Sequence, residues 1–68
     1  MRIILNGDPH ELPGSVTVSE LLERLEIDPR IVAVEVSRVV VKRDRYSRTV
    51  IPDGAEVEIV TFVGGGRR

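Results

Sequence analysis

Sixty-eight residues, 41% hydrophobic and 31% charged, supply one small packed domain and carry too much apolar material for a disordered tail. A chain of this length buries only about 60% of the surface it would expose unfolded, which excludes a large enzyme pocket. Ten basic against eleven acidic residues argue against nucleic-acid binding through bulk charge, and zero cysteines with one histidine exclude disulfides, thiolate chemistry and the usual zinc sets.

Arg2-Ile3-Ile4-Leu5 and His10-Glu11-Leu12 are strand candidates separated by Asn6-Gly7, a dipeptide suited to a tight hairpin turn. Pro9 confines the second strand to an edge or to its own first residue, because proline cannot donate into a ladder. No apolar run here or later approaches the roughly 20 residues that cross a bilayer, so no membrane segment is expected and the cytoplasm is the expected location.

After the Pro13-Gly14 break, Thr17 stands three residues before Glu20, the spacing of a capping box. Val18, Leu21, Leu22 and Leu25 follow at i, i+3, i+4 and i+7, one apolar stripe on a helix whose other faces carry Glu20, Glu23, Arg24 and Glu26. Asp28-Pro29 is expected to stop that helix. From Ile31 to Val36 the period becomes two, with Val32, Val34 and Val36 on one face and Ala33 and Glu35 on the other. Ser37-Arg38 makes a turn into Val39-Val40-Val41, and Lys42 to Arg48 reads as an irregular polar connection around Tyr46. Pro52-Asp53-Gly54 is a turn, and Ala55 to Val63 forms the final strand, with Val57 and Ile59 facing away from Glu56, Glu58, Val60 and Phe62.

The expected fold is therefore α+β: a mixed sheet of four to five strands with one helix packed across one face. Residues 1–63 form its single domain and residues 64–68 a flexible glycine-rich tail.

Little in this chain can do catalysis. His10 lies on an edge strand and reads as structural. Ser15, Ser19, Ser37 and Ser47 are explained by turns and helix entry, and Glu20, Glu23 and Glu26 by a solvated helix face. No catalytic residue, bound cofactor or metal is expected. Gly64-Gly65-Gly66 cannot be a phosphate loop, since only Arg67 and Arg68 follow and no helix opens after them. Three glycines read instead either as a frayed terminus without a role or as a thin arm without side chains, about 10 Å long, able to enter a narrow tunnel in another protein. Val60 and Phe62, outward on the strand leading into that arm, suggest a partner surface with Val63, Gly64 and Gly65, ordinary sheet packing being the competing reading. The segment holding Arg38, Lys42, Arg43, Arg45 and Arg48 against Asp44 alone reads either as a solvated rim or as a docking patch for an acidic partner.

Taken together, Ile3-Ile4-Leu5-Asn6-Gly7, Thr17-Val18-Ser19-Glu20-Leu21-Leu22, Val32-Ala33-Val34-Glu35-Val36, Asp53-Gly54-Ala55-Glu56-Val57-Glu58-Ile59-Val60 and Phe62-Val63-Gly64-Gly65-Gly66 resemble the thiamine-biosynthesis sulfur carrier family (ThiS), a ubiquitin-like β-grasp group. The resemblance covers almost the whole chain. It implies that a terminal glycine carboxylate is adenylated by an ATP-using E1-like enzyme, converted to a thiocarboxylate, and used to give sulfur to thiazole synthase. It also implies a carrier rather than an enzyme. Family members end in a free Gly-Gly carboxylate, whereas here Gly66 is in a peptide bond to Arg67. Removal of Arg67 and Arg68 would expose Gly66; an expression remnant, or a copy inactive as a carrier, are the alternatives. A carrier for molybdopterin or transfer-RNA thiolation, a protein modifier joined through Gly66 to lysine, and a non-covalent module binding RNA or protein are the rival functions. One tyrosine, one phenylalanine and no tryptophan leave few platforms for stacking bases.

Overall fold

Asn6 and Gly7 both take left-handed backbone angles, φ 48° and 88°, and this two-residue turn folds Arg2–Leu5 (β1) against Asp8–Glu11 (β2) in antiparallel register. The computed structural model describes residues 1–62. In it β2 begins at Asp8 and stops at Glu11, two residues earlier at its start than expected from the apolar pattern, because the tight turn sets the register before side-chain chemistry does. Leu12 leaves the strand and enters the core. Pro9 sits on β2 at the edge of the sheet, where its missing N–H costs no ladder bond.

Thr17 caps Val18–Arg24 (α1) through the reciprocal bonds its spacing predicts: its Oγ1 accepts from the Glu20 N–H, and Glu20 Oε1 accepts from the Thr17 N–H. The helix ends before Asp28-Pro29, which corrects the expected stop. The Glu26 and Ile27 N–H groups donate back to the Glu23 and Leu22 carbonyls, and Glu26 takes φ 59°, the left-handed residue of a Schellman ending. Asp28-Pro29 instead starts a 3-10 turn, Pro29–Ile31, so Ile31 is not part of the strand expected from it. Val32–Val36 (β3) and Val39–Val41 (β4) form a second hairpin across Ser37 and Arg38, both at positive φ. Glu56–Thr61 (β5) is shorter than the expected 55–63 strand, and Val63 lies outside the described residues.

The five strands lie in the order β2-β1-β5-β3-β4, with β1 parallel to β5 and the other neighbours antiparallel. β5 is central. Its Val57 and Ile59 stand beside Val36 and Val34 of β3 on the inner face, where Ile3, Val18, Leu21, Leu22, Val32, Val34 and Val57 are all but inaccessible to solvent. Tyr46 also belongs to this core, which the polar segment around it did not suggest. A 3-10 turn over Arg43–Arg45 turns the chain inward, and the Tyr46 hydroxyl donates to the Val32 carbonyl at 3.3 Å.

Candidate functional site

The candidate site is the outer face of β5 where it runs toward the glycines. Strand alternation puts Glu56, Glu58 and Val60 opposite to the core residues Val57 and Ile59, and the next outward position is Phe62. Val60 is 57% and Phe62 60% exposed, large values for apolar side chains in so small a protein. Val60 faces Ala33 across the β3 register, which lengthens the apolar strip by one small residue. Of the other residues expected at the site, Val63, Gly64, Gly65 and Gly66 lie outside the described residues, as do Arg67 and Arg68.

The backbone under this strip is held from both sides. The Phe62 N–H donates to the Ile31 carbonyl at 2.8 Å, extending the β3–β5 ladder past the last paired residue. From the β1 side, Asn6 replaces a strand residue: its Oδ1 accepts from the Ile59 N–H at 2.8 Å and its Nδ2 donates to the Ile59 carbonyl at 3.2 Å. The last described residues of the strand are thus fixed in place.

Three carboxylates to which the sequence reading gave no role share this side of the sheet. Glu35 stands directly across from Glu58, and Glu56 is next along the same face of β5. Like charges directly opposite repel, so this pairing costs stability in the isolated protein and is relieved by a cation. Arg38 supplies part of that relief, with its Nε 3.5 Å from Glu56 Oε1. Ile4, Gly7, Glu35, Arg38, Glu56 and Glu58 border a shallow hollow of about 450 Å³. The outer face thus runs from acidic to apolar in the direction of the tail. The period-two patterns of β3 and β5 already assigned these acids to one face; only the register, absent from any single strand, made them neighbours.

His10 lies on β2, on the far side of β1 from the apolar strip, and is half-buried at most. Glu20 is used by the helix cap. Among the described residues no group of His, Cys, Asp or Glu is arranged to hold a metal ion, and no helix is long and apolar enough to cross a membrane.

The ThiS family matches residues 3–66, a span that includes the glycines. The chain is 39% identical over 66 residues to a thiazole synthase of Paramagnetospirillum magneticum and 40% identical over 67 residues to one of Magnetococcus marinus, but it spans only about a fifth of the length of each. It is 36% identical over 50 residues to the sulfur carrier protein ThiS of Bacillus subtilis, a match covering 74% of this chain and 76% of that one. The crystal structure of the thiamine biosynthesis protein ThiS from Geobacter metallireducens superposes with a TM-score of 0.84 at 36% identity, covering 97% of this chain and all of that one. Sequence match, five-stranded β-grasp sheet and single crossing helix agree, and the chain belongs to the ThiS family.

Proposed function

We propose that the chain is a sulfur carrier of thiamine biosynthesis in the cytoplasm, and that its working group is the carboxylate of Gly66. The family match that runs through Gly66 carries this reading. Removal of Arg67 and Arg68 by hydrolysis frees the carboxylate. An E1-like partner then joins it to the α-phosphate of ATP and releases pyrophosphate, giving an acyl-adenylate whose AMP is a good leaving group. Sulfur at the hydrosulfide level displaces AMP, and the resulting thiocarboxylate passes its sulfur to thiazole synthase and returns, with water, to the carboxylate. The names of the longer relatives support that last partner.

In this scheme the chain provides the reacting atom and the partners provide catalysis. Glycine suits the position because it lets the carboxylate enter an active site without a side chain in the way. The exposed Val60 and Phe62, with Glu35, Glu56 and Glu58 behind them, suit a partner surface that is apolar near its tunnel and basic beyond it.

The test incubates a version ending at Gly66, and the full 68-residue chain, with the activating enzyme, ATP and a sulfur source. The shortened chain should gain the mass of one oxygen replaced by sulfur, and the full chain should not. A shortened chain that never forms an adenylate would refute the carrier reading. Conversion of the full chain without loss of the arginines would refute the processing step.

A further inference from the structure

The β4 edge of the sheet carries a second surface that the carrier reading leaves unused. Among the described residues β4 is an edge strand with no neighbour beyond it. In a two-residue hairpin the pair flanking the turn exchanges both ladder bonds, here Val36 and Val39, and the bonding then alternates. The Ser37 N–H, bonded to the Glu56 carbonyl on the other side of β3, fits the same alternation. The Val40 N–H and carbonyl therefore point away from the sheet. Lys42 still has extended backbone, φ −72° and ψ 147°, so its N–H continues the outward row.

Val39 and Val40 are 65% and 64% exposed, the two most exposed large apolar residues described. Val39, Val40, Val41, Lys42, Arg45 and Thr49 line a groove of about 360 Å³ along this edge. Among the described residues no carboxylate forms an ion pair with Lys42, Arg45 or Arg48 beside it. Arg43 and Arg48 donate to the carbonyls of Arg30 and Asp44.

We propose that β4 is a docking edge for an extended acidic peptide segment of another protein, which adds as a sixth strand. Its backbone bonds Val40 and Lys42, its alternate β-branched side chains fill the groove beside Val39 and Val41, and its flanking carboxylates meet Lys42 and Arg45. Charge selects this occupant over a second copy of the chain. Antiparallel pairing of two β4 strands about Val40 would set Arg38 of each copy against Lys42 of the other, and like charges directly opposite destabilise such a pair. The flanking cations thus guard the edge against self-association while favouring a carboxylate-bearing strand.

The inference is independent of the sulfur-carrier reading and is tested separately on the full ¹⁵N-labelled chain. The probe is the capped peptide Glu-Asp-Val-Thr-Val-Thr-Val-Asp-Glu, with a control in which lysine replaces each acidic residue. The acidic peptide should shift the amides of Val39 to Lys42, Arg45 and Thr49, slow hydrogen exchange at Val40, and bind more weakly as salt rises. Double replacement Lys42→Glu and Arg45→Glu, both exposed, should keep the far-UV spectrum and melting temperature while weakening the peptide about tenfold or more. Val40→Asp is the second variant and should weaken it too. No binding, equal binding of the lysine peptide, binding indifferent to charge reversal, or shifts centred on Val60 and Phe62 would each overturn the proposal. So would β4 protection that arises with protein concentration alone, which would assign the edge to a second copy, or larger shifts with oligouridylate, which would assign it to nucleic acid.

Discussion

Asn6 performs two functions that pull on different properties of the residue. Its left-handed backbone, φ 48°, makes the β1–β2 turn, and its side chain bonds both backbone groups of Ile59. Glycine would keep the first and lose the second; alanine would lose both. Asn6→Gly should therefore cost about 1–3 kcal/mol for the two lost bonds, and Asn6→Ala about 1 kcal/mol more for the strained turn. Urea unfolding of the two variants measures the difference. Both variants should also loosen β5 at Ile59, visible as faster exchange of its amide. Phe62→Ala, by contrast, removes a 60% exposed side chain and should change stability by no more than about 0.5 kcal/mol while lowering affinity for the proposed E1-like partner. A large stability loss would place Phe62 in the core instead. The turn at Asn6-Gly7 was legible in the sequence from dipeptide chemistry; the bond to Ile59, 53 positions away, was not, because no local pattern encodes which strand lies beside β1. Tyr46 was missed for a related reason: a lone aromatic among charged residues has no periodic apolar companions to reveal that a 3-10 turn aims it inward.

At the scale of elements, α1 shows which end signals are strong. Its start was legible because Thr17 and Glu20 satisfy each other's backbone partners with local chemistry. Its end was not, since Glu26 occupies the left-handed position where glycine is usual. Glu26→Gly should relieve that conformation and, after the greater freedom of glycine in the unfolded chain is subtracted, raise stability by up to about 1 kcal/mol. Thermal unfolding gives the sign directly. The following 3-10 turn has a pH dependence of its own. The Arg30 side chain, through its hydrogen bonds, and then the Arg30 N–H hold the Asp28 carboxyl at about 2, below the ordinary 3.8. A depressed folded value means that the carboxylate's contribution is present above about 3.8 and is lost as pH falls through about 2. Asp28→Asn should flatten the fall in urea midpoint between those limits; an unchanged slope would show that the pair adds nothing at this exposed position.

Across the molecule, strand and helix identities followed from period and turn residues, while the order of the sheet required tertiary information. The outward alternation of Val60 and Phe62 was readable from β5 by itself. The acidic side of the candidate surface was not, since Glu35 and Glu58 become neighbours only through the pairing of β3 with β5. That pairing also governs how the protein is made. The strand that joins the two hairpins is Glu56–Thr61, bonded to β1 on one side and β3 on the other, and it is the last of the five to leave the ribosome. Until it emerges, both hairpins lack their shared neighbour and the core has no Val57. A translation product interrupted before Glu56 should therefore be open to proteases, and it also lacks Val60 and Phe62, so an unfinished copy carries neither the closed sheet nor the apolar end of the proposed docking face.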